Sequence, residues 1–182
     1  MIKKISLVLL CAMFLGSVAI AKANADEAPR DPAKHFFNET WGDYHDELKK
    51  AKAEGKAGIM LFFEQAECPF CHYMKTNVLN QPQVQEYYRK HFLLFPVDIE
   101  GDVDIKDLRG KSMKEKDFAF KEQRVRATPV IAFFDLNGKR IERYIGKTSG
   151  VEEFMWLGHY IVDGAYKKMS FIRYKKAQRQ KN

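Results

Sequence analysis

The chain has 182 residues, 46% of them hydrophobic and 30% charged, with a formal net charge of +7 and three cysteines. That length suits one domain able to bury its own core, and it excludes a small fold held together by disulfides. The charge is too weak to argue for nucleic acid as a partner.

The first stretch reads as a targeting segment. Lys3 and Lys4 form a basic n-region, Ile5 to Ile20 an apolar h-region, and Ala23-Asn24-Ala25 a small-x-small cleavage site. The apolar run is short for a membrane span. The expectation is export to the periplasm with cleavage after Ala25. Cys11 lies inside the h-region behind Leu10, which does not suit a lipoprotein signal, so Cys11 leaves with residues 1–25. The remaining 157 residues lose Lys3, Lys4 and Lys22 but no acid, and their net charge is about +4. Their cysteines, Cys68 and Cys71, are three apart. So small a loop adds little chain-entropy stabilisation, and the pair reads as reactive rather than structural.

Residues 26–56 form a leader and a helix. Pro29 and Pro32 mark an extended start, and Asp43 to Glu54 reads as a helix carrying Leu48 and Ala51 on one face and ended by Gly55. Asn38-Glu39-Thr40 matches a glycosylation sequon, read as a chance match. The main domain spans 57–165. Ala57 to Glu64 is a buried strand, and Pro82 opens a helix with Val84, Tyr87, Tyr88 and His91 as its inner stripe. Phe92 to Ile99 is a second strand whose Pro96 demands an edge or a bulge. Gly101 to Lys111 reads as a charged excursion. Ser112 and Glu115 have capping-box spacing ahead of a short helix with Phe118, Glu122 and Val125. Val130 to Phe134 is a third strand, Asn137-Gly138 a two-residue hairpin turn, and Lys139 to Ile145 a fourth strand. Ser149 and Glu152 form a second capping box before a helix that buries Val151, Phe154, Met155, Gly158, Ile161 and Val162. Residues 166–182 are a basic tail. The predicted fold class is α/β, a central mixed four-stranded sheet flanked by helices.

The chemistry concentrates at Glu67-Cys68-Pro69-Phe70-Cys71-His72, where the first strand hands over to a helix. Pro69 suits the first helical position. Cys68 then falls at the N-cap, where free N–H groups and the helix dipole favour its thiolate. Cys71 lies one turn on, within reach of a disulfide. An activated sulfur backed by a sheltered one is the machinery of thiol–disulfide exchange.

These residues, with Thr128-Pro129 opening the third strand and the Asn137-Gly138 turn, resemble the thioredoxin superfamily over roughly residues 57 to 165. The resemblance implies a cis Thr128–Pro129 bond, with Pro69, Phe70, Thr128 and Pro129 meeting the substrate. Lys49 to Lys56, Phe63 to Cys71 and Ala127-Thr128-Pro129 are further similar to exported SoxW-type thioredoxins, which implies a periplasmic thiol–disulfide reductase. Two departures stand out. The family's buried carboxylate six residues before the first cysteine is here Phe62, with Glu64 nearby. The residue before the second cysteine is Phe70 rather than the His of oxidising relatives, and Glu67 opposes the Cys68 thiolate. Glu64, Glu67 and His72 are therefore the expected modulators of the cysteines, and the couple is expected to be reducing.

The expected activity is reduction of a disulfide in a periplasmic client protein by Cys68 and Cys71. A membrane thiol-electron donor would restore the pair, with no cofactor and no metal. The protein is expected to act as a monomer, with no nucleic acid. Oxidase or isomerase activity on the same fold is the alternative. A remote one is c-type haem attachment, because Cys68-Pro69-Phe70-Cys71-His72 spells that motif. Asp98, Glu100, Asp102 and Asp104 alternate like a calcium loop, but Val103 stands where glycine is needed. His35, His45, His91 and His159 read as isolated. The tail reads as a solvated helix or frayed end, or as a dock for an acidic partner or anionic lipid.

Overall fold

A computed structural model describes residues 28–181, so the expected targeting segment, Cys11 and the expected cleavage site lie outside the described residues. The fold is organised by strand β1, Gly58–Glu64, whose side chains are buried on both faces up to Phe63. A strand apolar on both sides needs a layer on each, and alternation divides its residues between them. β1 runs parallel to β2, Phe92–Asp98, and antiparallel to β5, Val130–Phe134. β6, Arg140–Ile145, pairs antiparallel with β5, giving the order β2-β1-β5-β6. The thioredoxin-like mixed sheet expected from the sequence is therefore present. β2 is an edge strand, which is why Pro96 is tolerated. Asn38 caps that edge: its N–H donates to Leu94 O at 2.8 Å and its Oδ1 accepts from Leu94 N at 2.9 Å.

Met60 and Phe62 face a core shared with Phe36, Phe37, Met74, Tyr88, Phe154 and Phe171. This layer is built by helices α3 (Pro69–Asn77), α4 (Pro82–His91), α6 (Val151–Val162) and α7 (Phe171–Arg179), with the short α1 (Pro32–His35) beside them. Ile59, Leu61 and Phe63 face a second core with Tyr44, Leu48, Phe95, Phe118 and Val125. Its cover is α2, Tyr44–Ala53, and the connection from β2 to β5.

That connection departs from expectation. β3 (Asp104–Lys106), inside the charged excursion, and β4 (Ser112–Lys114), just after it, form a two-stranded ribbon, with Ser112 opposite Lys106. Ser112 is thus a strand residue, not a cap. A single turn, α5 (Glu115–Asp117), leads into a π-helical turn, Phe118–Glu122. The acids of the excursion are met by lysines, Lys114 with Asp104 at 3.0 Å and Lys116 with Asp102 at 2.7 Å. The turn after β5 is longer than two residues: Asp135 N donates to Lys139 O, and Asp135 Oδ1 accepts from Asn137 N and Lys139 N. At α6 the capping acid is Glu153 instead of Glu152, since Glu153 Oε2 accepts from both the N–H and the hydroxyl of Ser149. Leu157 belongs to the buried face of α6 as well.

The tail is docked. Phe171 is 7% exposed and packs on Tyr144 and Tyr160, and Lys175 Nζ donates to Glu153 Oε1 at 2.6 Å. Three of the histidines are not isolated either: Tyr87 lies between the tilted rings of His91 and His159 and bonds to His159 Nδ1 at 3.0 Å, and His45 Nδ1 bonds to Leu108 O at 3.3 Å.

Candidate active site

Cys68 is the N-cap of α3, and Pro69 is its first residue. The Cys68 sulfur accepts from Cys71 N at 3.0 Å, so the free N–H groups of the first turn point at it. Cys68 and Cys71 are joined as a disulfide with a Cα–Cα distance of 5.2 Å. The sequence led us to expect one exposed sulfur. In this oxidised pair both are largely covered, Cys68 at 7% and Cys71 at 2% exposure, because each sulfur is turned onto the other. Pro69 is exposed beside them, and Phe70 is 54% exposed, an apolar rim at the helix start.

Opposite lies the start of β5. The Thr128–Pro129 bond is cis, and Pro129 is buried. Pro129 O accepts from Gly146 N at 2.8 Å, and the Thr128 hydroxyl donates to Gln65 Oε1 at 3.3 Å. Gln65, just ahead of the cysteines, thereby ties the two loops together.

A pocket of about 290 Å³ opens beside the sulfurs, lined by Glu64, Gln65, Ala66, Cys68, Cys71, His72, Lys75 and Asp98. Glu64 follows Phe62 on the same face of β1, so strand alternation delivers its carboxylate to the cysteine side. Lys75 Nζ donates to Glu64 Oε1 at 2.8 Å. Lys75 stands four residues after Cys71 on α3, one turn along the same face, and this contact fixes the carboxylate near the inner sulfur. A third acid completes the cluster: Glu115 Oε1 accepts from Asp98 N at 3.2 Å. Burial, and then the negative charges of Asp98 and Glu64, raise the Glu115 carboxyl above its ordinary value. Glu67 is exposed and lies outside the pocket. Sequence reasoning passed over Gln65 and Lys75 as site residues, and read Asp98 only as one of a run of alternating acids. Of these, only Lys75 carried a local signal, its four-residue spacing from Cys71.

The profile of the thioredoxin-like domain matches residues 44–161. The chain belongs to the thioredoxin-like family. Solved structures share the thioredoxin-like fold. A thioredoxin-fold protein from Helicobacter pylori has a TM-score of 0.58 at 22% identity, covering 70% of this chain and 88% of its own. A thioredoxin from Thermus thermophilus has a TM-score of 0.54 at 22% identity, with the same coverages of 70% and 88%. The DsbH oxidoreductase has a TM-score of 0.53 at 19% identity, covering 79% of this chain and 96% of its own. No curated protein sequence matches the chain. A thioredoxin-like domain with a Cys68–Cys71 pair at its helix N-terminus supports a thiol–disulfide oxidoreductase.

Proposed function

We propose that this protein is an exported thiol–disulfide reductase of the SoxW type that acts on disulfides of periplasmic client proteins. The observation that carries the reading is the N-cap sulfur of Cys68, facing free helix N–H groups and backed by Cys71, with the cis Thr128–Pro129 loop tied to the residues just ahead of Cys68 through Gln65.

In the reduced enzyme the Cys68 thiolate attacks a client disulfide. One client sulfur leaves as thiolate and takes up a proton, and the other becomes linked to Cys68. Cys71 then gives its proton to the Glu64 carboxylate, directly or across one water in the 290 Å³ pocket. The Cys71 thiolate attacks the Cys68 sulfur, and the second client sulfur leaves and is protonated. The client gains two electrons and two protons, and the enzyme is left with the Cys68–Cys71 disulfide. A membrane thiol-electron donor restores the dithiol by the reverse exchange. Phe70 gives clients an apolar contact and adds no positive charge to stabilise the Cys68 thiolate, which favours a reducing couple.

The test is the equilibrium potential of the pair in a glutathione or dithiothreitol buffer. A value nearer about −270 mV supports the reductase; one near about −120 mV makes the protein an oxidase and overturns the direction. Cys71→Ser should accumulate the mixed disulfide with the client. Cys68→Ser should lower reduction by at least about a thousandfold.

A further inference from the structure

We infer that the outward face of α7, together with the turn before it, docks on the surface of an anionic lipid bilayer. The helix is held rigidly. Phe171 is buried, Tyr160 OH donates to Met169 O at 2.7 Å, and Lys175 is tied to buried Glu153. Its opposite face is thereby fixed toward solvent. Ile172, Lys176 and Arg179 recur there at spacings of four and three, one stripe of the helix, with Arg173 adjoining. Lys167, Lys168 and Met169 are exposed just before it.

No acid occurs after Asp163, whereas seven lysines and arginines do. Of the nearby acids, Glu142 is engaged at the Tyr160 hydroxyl, and Glu152 and Asp163 line a groove on the α6 side with Tyr174 and Gln178. The basic stripe also exposes aliphatic surface, Ile172 at 76% and Met169 at 38%. Aliphatic side chains ringed by cations suit the boundary between head groups and acyl chains, where each part meets its own medium. Contacts to nucleic-acid phosphates would use the cations and leave Ile172 and Met169 idle, whereas a bilayer surface takes both the cations and the aliphatic side chains. Among the described residues no helix is long and apolar enough to cross a membrane, so the contact proposed is peripheral. This inference stands apart from the redox reading.

The experiment is co-sedimentation of the chain from Asp26 onward with vesicles of phosphatidylcholine, with and without phosphatidylglycerol. Binding is expected to the anionic vesicles only, weakening as salt approaches about 1 M. Neutralising Lys176 and Arg179 together to Gln should weaken it about 25-fold, roughly fivefold per cation. Ile172→Ser should cost about tenfold more. Both variants should keep the melting temperature and the Cys68 thiol reactivity of the parent, which separates loss of docking from loss of fold. Equal binding to neutral vesicles, no binding to either, or variants that bind like the parent would overturn the proposal. So would binding to polyglutamate in place of vesicles, which assigns the face to an acidic polypeptide.

Discussion

The two faces of the sheet are built by different means. The face of Met60 and Phe62 carries the cysteines, and polar anchors hold it together: buried Glu153 joins Ser149, Tyr144 and Lys175, and buried Gln85 donates to Leu79 O and Arg30 O. The face of Ile59, Leu61 and Phe63 packs around Phe118, with Tyr44 and Phe63 at ring distances of 5.5 and 6.2 Å, and its buried Asp107 closes a local turn by accepting from Arg109 N and Lys111 N at 2.8 Å. The chemistry thus sits on the layer with directional contacts. The other layer supports it through the shared strand.

Phe118→Ala gives the largest expected effect on the packed face. Phe118 is 1% exposed at the start of the π-helical turn, and its loss should destabilise the protein by about 3–5 kcal/mol in urea unfolding. A loss under about 1 kcal/mol would show that this face does not rely on packing. On the anchored face the matching probe is acid. Burial alone would raise the Glu153 carboxyl. The Lys175 ammonium, the Ser149 hydroxyl and N–H and the Tyr144 hydroxyl outweigh it and bring the group from 4.5 down to about 2. A carboxyl lowered by folding stabilises the fold above its unfolded value, and that contribution goes as pH falls from about 4.5 to about 2. Roughly 3 kcal/mol of acid-limb stability should vanish in Glu153→Gln, read as a flatter stability–pH curve over that window. An unchanged curve would mean the tail helix is seated by Phe171 alone.

The contrast also governs what could be read from the sequence. The helices on the cysteine face announce themselves: Pro69 and Pro82 open α3 and α4, and Cys71, Met74 and Val78 keep one stripe. Residues 99–127 do not. The β3–β4 ribbon pairs three residues with three, too short for alternation to register, and its Ser112-Met113-Lys114-Glu115 imitates a helix start. The turn that follows is π-helical, which the 3.6-residue period of an α-helix does not describe. In the candidate site, Cys68 and Cys71 are legible because strand and helix signals meet there. The Glu64–Lys75 contact is tertiary, and local spacing does not show which acid the lysine finds. The docked tail was hidden for the same reason, since the partner of Lys175 lies 22 residues back in the chain.

Glu64 lies on the anchored face at its open end, and it should matter to one step only. Glu64→Gln is expected to slow resolution of the Cys68 mixed disulfide about a hundredfold at pH 7, leaving the initial attack by Cys68 within about twofold. The groups facing it are Lys75 and His72 from α3, Asp98 from β2 and Glu115 from α5. With the acceptor gone, resolution must wait for solvent to take the Cys71 proton, so its rate should climb about tenfold per pH unit where the parent is flatter. Glu64→Asp should restore part of the rate. Equal slowing of both steps in stopped-flow traces would make Glu64 a packing residue.

The smallest effects test the packed face against its own misleading signal. Asp43 is a true cap, its Oδ1 accepting from Asp46 N at 3.0 Å at the start of α2. Ser112 has the look of a cap in sequence but lies in β4, its side chain exposed. Asp43→Ala should therefore cost about 1 kcal/mol, part of it from the Lys106 ion pair at 2.8 Å. Ser112→Ala should fall within about 0.5 kcal/mol of the parent. The ribbon prevails over the capping box because Ser112 opposite Lys106 and Lys114 opposite Asp104 satisfy backbone groups on both strands, whereas the box would serve a helix only one turn long before the π-turn begins. Equal urea midpoints for the two variants would mean that residues 112–115 spend their time as a helix start after all.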